Sequence, residues 1–357
     1  MKRFSKILLV IFIVAIYNTS FADEVKFTEG TYNDILELAQ KENKVVMIDF
    51  VTDWCKWCIE TDNKVYTVPK VYDYANANQI NWKIDAEKGE GIELAKKYKV
   101  TGYPTIIFTD SQGNEIDRIY GYILADDFYN TMVDYNNGEN TYSKLKSAVE
   151  ANPEDAEANY KYGEKLISLG QVEEAKPYIE KAVKLDPSNA SGYGDDAMMT
   201  LAYLNEDFLK LKELINEYPE SNKLKEAYVN AAGIVGGKNF NDAKAIYDEA
   251  FAKFGNDDEL INFNYGMFLL DKAYGVMAGE NVSNEDREKA LEIITECQNY
   301  VRGSVNESTS YYVMAKLYYQ MGDLVKANEA IDKAMSLRSA KSYTELKEEI
   351  NSQNAKK

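Results

Sequence analysis

Two cysteines three positions apart, in Trp54-Cys55-Lys56-Trp57-Cys58, are the residues of this 357-residue chain best placed to do chemistry. A Cys-x-x-Cys pair serves reversible disulfide exchange, half of a zinc site, or covalent haem attachment. The chain has one further cysteine, Cys297, and no histidine. A structural zinc site draws on four Cys or His ligands, and haem attachment needs a His directly after the second Cys, where Ile59 stands. The reading that remains is a redox dithiol, with no metal and no cofactor beyond its own disulfide.

Such a pair needs a scaffold, and the flanking sequence supplies one. Val45 to Val51 is a short β-branched run bounded by charge, and Thr31 to Lys44 before it carries Ile35, Leu36, Leu38 and Ala39 at helical spacing. A helix therefore feeds a buried strand. Downstream, the pattern predicts a strand over Ile80 to Ile84 and a helix over Gly91 to Tyr98. Strands over Thr105 to Thr109 and Glu115 to Tyr120 follow, joined by the turn Asp110-Ser111-Gln112-Gly113-Asn114, and then a helix over Ala125 to Tyr135. Strands alternating with helices, then a hairpin and a closing helix, imply an α/β fold: a mixed sheet with helices on both faces.

Ile48-Asp49-Phe50, Asp53 to Cys58 and Thr101-Gly102-Tyr103-Pro104-Thr105, in this order and at these separations, resemble the thioredoxin fold over about residues 30–135. Lys64-Val65-Tyr66-Thr67-Val68-Pro69 and the turn Asp110 to Asn114 resemble the C-terminal domain of the bacterial periplasmic thiol:disulfide interchange reductases. The resemblance puts Cys55 at the N-terminal end of a helix, where free backbone N–H groups and the helix dipole favour thiolate, and so makes it the attacking nucleophile. Cys58, one turn on and less exposed, is then the resolving thiol. Asp49 corresponds to a buried acid that takes and returns the proton of that thiol, burial raising its pKa towards neutrality. The alternative is a strand-end Asp that bonds only locally. Pro104 corresponds to a proline held in cis, leaving the backbone of Tyr103 for an extended substrate, against the alternative of a trans proline opening a strand. Trp54 and Trp57 complete the expected substrate-binding surface.

This sequence departs from thioredoxin proper at three places. Lys56 and Trp57 replace the Gly-Pro between the cysteines, and the His found there in oxidising or isomerising relatives is absent, which points to a reductant. As a solvated surface charge Lys56 would stabilise the Cys55 anion only slightly. Asn81 stands about where thioredoxin has a lysine near the buried acid, and Lys83, two residues on and on the same strand face, can replace it.

The N-terminus reads as an export signal over residues 1–22: Lys2, Arg3 and Lys6, then the apolar run Ile7 to Tyr17, then Ser20-Phe21-Ala22. That run is short of the roughly 20 apolar residues of a membrane span, so cleavage is expected over an uncleaved anchor. No cysteine stands there to carry a lipid. The expectation is a mature protein that is periplasmic and makes no membrane contact. With 59 acidic against 41 basic residues and a formal net charge of −18, the surface repels nucleic acid.

Beyond the polar stretch Asn136 to Asn140, helical periodicity replaces strand signals. Tyr162-Gly163, Leu166, Gly170, Ala175, Ile179, Ala182 and Leu185-Asp186-Pro187 have the spacing of one tetratricopeptide repeat of about 34 residues. The pattern returns at Met314-Ala315, Tyr318, Gly322, Ala327, Ile331 and Ala334, more weakly at Ala243, Tyr247 and Ala250, and at Tyr265-Gly266, Leu269, Ala290, Ile294 and Cys297 with an insertion near Ala278 to Glu285. This implies about five stacked helix pairs and a terminal helix, an all-α solenoid. Cys297 falls at the small buried position held by Ala182, Ala250 and Ala334, a packing residue in this register. The tyrosines at helical spacing read as core in preference to a groove lining. The expected organisation is thus a signal at 1–22, a thioredoxin-like domain at 23–140 and a helical repeat domain at 141–357.

The leading functional reading is an exported thiol–disulfide oxidoreductase, a reductant of protein disulfides, supplied by an electron-donor protein and using the repeats for client or partner contacts. The alternatives are a peptide-binding adaptor with a thioredoxin-like recognition module, and a disulfide oxidase or isomerase.

Overall fold

The computed structural model describes residues 24–354. The expected export signal lies outside them. Four strands form one sheet: β1 (Val45–Val51), β2 (Gln79–Asp85), β3 (Thr105–Thr109) and β4 (Glu115–Tyr120), in the order β2-β1-β3-β4. β1 and β2 are parallel, and the other two pairings are antiparallel. Five helices flank them: α1 (Tyr32–Glu42), α2 (Lys56–Lys64), α3 (Pro69–Asn78), α4 (Gly91–Lys97) and α5 (Ala125–Asn136). Side chains alternate across β1, so Val46, Ile48 and Phe50 pack with Ile35, Ala39, Leu94 and Ala95 of α1 and α4. Met47 points the other way, into a layer with Val65, Val71, Phe128 and Met132. Period-2 alternation puts Asp49 on this second face.

Helix α3 has no counterpart in the sequence reading. Its signal is Pro69 at the first helical position, where the missing N–H would be unpaired in any case, followed by Val71 and Ala75 on the buried face.

From Thr141 on, every element of the described residues is helical: α6 (Tyr142–Ala151), then the pairs α7 (Ala156–Ser168) with α8 (Val172–Leu185), α9 (Gly194–Leu204) with α10 (Phe208–Glu217), α11 (Leu224–Gly236) with α12 (Phe240–Phe254), α13 (Glu259–Ala278) with α14 (Asn284–Val301), and α15 (Val305–Met321) with α16 (Leu324–Leu337). The terminal helix is α17 (Lys341–Asn354). Asp155, Asp207, Asp258 and Asp323 each cap a helix through a backbone N–H three residues on. Small residues sit where helices touch. A Cβ added at Gly163 would lie 2.6 Å from Ile179 Cδ1, and one at Gly266 would lie 2.9 Å from Tyr300 Cβ.

Cys297 is fully buried, as are Ala182, Ala250 and Ala334. Its Sγ–H donates to the Gly266 carbonyl at 3.3 Å, and burial pushes the thiol up to about 12, so it stays protonated and unreactive at neutral pH. Tyr160, Tyr162, Tyr228, Tyr247, Tyr265 and Tyr343 are all buried between helices, as the core reading expects. The first repeat is fixed to the sheet by a buried ion pair, Lys165 Nζ to Asp117 Oδ1 at 2.7 Å, and Asp117 Oδ2 also accepts from the Tyr142 N–H at the start of α6.

Candidate active site

Cys55 is the N-cap of α2, and its Sγ accepts the backbone N–H of Cys58 at 3.0 Å. The two cysteines are joined as a disulfide, with Cα atoms 5.3 Å apart. A helix N-terminus leaves N–H groups without intrahelical partners, so on reduction the charge of a Cys55 thiolate has a donor already in place. Cys55 is 3% exposed and Cys58 5%, so the expected difference in exposure between attacking and resolving thiol is absent in the oxidised state. Lys56 also departs from expectation. It is half-buried, and burial together with the positive charge of Arg338 lowers its pKa. The reason is that the helical array packs against the head of α2.

The residues expected to bind substrate divide into two flanks. Trp54 is 63% exposed, its Nε1–H donates to Glu87 Oε2 at 3.0 Å, and its ring meets Tyr103 edge-on at 5.7 Å. The Tyr103–Pro104 peptide bond is cis, and the Pro104 carbonyl accepts the Gly121 N–H at 2.9 Å, which brings the β4–α5 loop beside it. Trp57 stacks on Tyr122 of that loop, with ring centroids 5.6 Å apart.

Asp49 is 1% exposed and lies across from Lys83 in the β1–β2 register, with Lys83 Nζ 3.6 Å from its Oδ2. Its Oδ1 has no hydrogen-bond partner. Burial pushes the carboxyl up to about 6, against the pull of Lys83 and with the negative charge of Asp62 adding to the rise. The Tyr66 hydroxyl faces the same carboxyl without closing a hydrogen bond, and burial with that charge holds its pKa well above the ordinary phenol. Lys83 is thus the lysine beside the buried acid, while Asn81 bonds to Gln79 and the Lys26 carbonyl. Lys83 also pairs with Asp62. Asp62 is absent from the sequence reading, and Tyr66 enters it only within the Lys64 to Pro69 segment, with no part in the site. Asp62 had a signal, since it stands four residues after Cys58 and so on the same face of α2.

A dithiol at a helix head, a cis-proline beside it and a buried acid beneath, on a mixed four-stranded sheet, define a thioredoxin-like domain. Comparison with known proteins agrees: residues 32–136 match the thioredoxin-like domain family, and residues 134–194 and 308–341 match tetratricopeptide repeats. The chain carries a thioredoxin-like domain followed by these repeats. Over 94 residues it is 40% identical to the thiol:disulfide interchange protein DsbD of Yersinia pestis (strain Pestoides F), covering 26% of this chain and 16% of that protein. The chain thus spans about one sixth of the length of that relative. A solved protein of Bacteroides thetaiotaomicron, provisionally described as a disulphide-isomerase, is 37% identical over 31% of this chain and 92% of its own, with a TM-score of 0.30. The tetratricopeptide protein YrrB is 18% identical over 57% of this chain and 97% of its own, with a TM-score of 0.36.

Proposed function

We propose that this protein is a thiol–disulfide oxidoreductase that reduces disulfides in polypeptides. In the reduced form the Cys55 thiolate attacks one sulfur of a substrate disulfide. A mixed disulfide forms, and the other substrate sulfur leaves as thiolate. The Cys58 thiol then passes its proton to Asp49, and its sulfur attacks Cys55 Sγ. The Cys55–Cys58 disulfide forms and the second substrate thiolate is released, so the substrate gains the two electrons that the dithiol loses. A reduced dithiol protein restores the pair by the reverse sequence.

The observation that carries this reading is the pairing of a helix N–H on Cys55 Sγ with a fully buried acid held near pH 6 beneath the same helix. A base titrating close to neutrality accepts a thiol proton and returns it within one cycle. Export to the bacterial envelope and client contacts through the repeats belong to the same proposal, supported by the basic-then-apolar N-terminus and by the interchange relatives. Among the described residues no helix is long and apolar enough to cross a membrane.

Equilibration of the protein with glutathione tests the direction of transfer. A reductant should titrate near roughly −270 mV, and a value near about −120 mV would make it an oxidant.

A further inference from the structure

The helical array meets the thioredoxin-like domain at its near end and again beside the dithiol. At its near end stands the buried Lys165–Asp117 pair, far from the dithiol in the chain. Its distal half returns to the head of α2, where the dithiol stands. Phe263 of α13 lies 6.2 Å from the Trp57 ring and 5.6 Å from that of Tyr122. Glu60, 2% exposed, turns its carboxylate to the N-terminus of α15 and accepts the Val305 N–H at 3.0 Å. Lys56 senses the charges of Asp271 in α13 and of Arg338 just past α16. Both residues between the cysteines are therefore engaged by the array.

These contacts fall beside the place where a polypeptide would lie. The hydrogen bond from Gly121 to Pro104 joins the cis-proline to the Tyr122 loop, Trp57 between the cysteines stacks on Tyr122, and Phe263 rests on both of those rings. An open cleft of about 250 Å3, lined by Glu60, Tyr122, Phe263, Met267 and Asn306, borders this contact, and the buried Asn306 Oδ1 has no hydrogen-bond partner. A contact bordered by an open cleft and holding an unpaired amide oxygen, which gains a partner from water on exposure, parts at modest cost. A solenoid allows this, since each repeat packs chiefly on its neighbours.

We infer that Phe263 and the Glu60–Val305 hydrogen bond are specificity determinants: they hold the distal half of the array over the dithiol, so that a polypeptide disulfide reaches Cys55 only when this contact parts. A small disulfide enters along the Trp54–Tyr103 flank, where Trp54 is exposed. The inference rests on the exchange activity proposed above.

The test uses the full chain, reduced, with kcat/KM measured for insulin and for 2-hydroxyethyl disulfide. Val305→Pro removes a single N–H at the first helical position, where proline is favoured, and Ser304 before it already has the extended backbone (φ −100°, ψ 167°) that a following proline requires. Phe263→Ala opens the aromatic contact independently, and Phe263→Tyr retains it. Loss of a charge-assisted hydrogen bond raises the open fraction by about tenfold or more, so insulin kcat/KM should rise about tenfold in Val305→Pro and in Phe263→Ala. The small disulfide should change by no more than about twofold in either, and Phe263→Tyr should match the parent with both substrates. Insulin rates that stay level or fall, or that move in step with the small disulfide, would overturn the inference while leaving the exchange activity standing. Absence of turnover of 2-hydroxyethyl disulfide by the parent chain would overturn both.

Discussion

Replacing Asp49 by Asn keeps the shape of the side chain and removes its ionisation, so the variant isolates what the buried charge does to stability. The native environment raises the carboxyl from 3.8 to about 6, chiefly through burial. Because the folded pKa lies above the unfolded one, the native state prefers the protonated form. The associated stability is full below the unfolded pKa and is lost as pH rises through the folded one. A shift of about two units corresponds to about 3 kcal/mol at about 1.4 kcal/mol per unit. Asp49→Asn should therefore gain stability over the parent as pH rises from 4 to 8, by about 2 to 3 kcal/mol, with most of the change completed by about pH 7. Urea unfolding of the oxidised proteins at pH 4, 5, 6, 7 and 8 reads this directly. Any fixed difference between amide and acid, and the titration of the other carboxylates, cancels when variant minus parent is followed across pH. A difference that is flat with pH, or that falls, would refute the buried-acid account of this residue.

Two other perturbations separate structural from chemical roles. Lys165→Met should strip the buried Asp117 of its counter-charge and cost about 3 to 5 kcal/mol in urea unfolding, and Asp117→Asn added to it should recover much of the loss. Cys297→Ala should leave insulin turnover unchanged and alter the urea midpoint little, since alanine already fills the matching positions at Ala182, Ala250 and Ala334.

The frame of the site was legible because its signals are local. The β-branched run over β1, the Gly-x-Pro-Thr segment before β3 and the alternation that pairs Asp49 with Lys83 all depend on residues close in sequence or in register. The repeat register was legible for the same reason, and it assigned Cys297 to packing. What sequence did not disclose depends on contacts between distant segments. Glu60 carries no local signal of burial, because its partner is the N–H of Val305, 245 residues away. Lys56 and Trp57 read as exposed until α13 and α16 are set beside them. Helix α3 was missed because its buried face holds only Val71 and Ala75, too few to show a period.

The central claim is that Cys55 attacks and Cys58 resolves. Cys58→Ser leaves the nucleophile and removes the thiol that releases it, so mixing the reduced variant with a disulfide-bonded polypeptide should yield a stable one-to-one adduct. Intact-mass measurement under non-reducing conditions, followed by peptide mapping, locates the bond. The account predicts that it lies on Cys55, and that the adduct is absent from Cys55→Ser. Turnover by Cys58→Ser at the parent rate, or an adduct carried by Cys297, would contradict it.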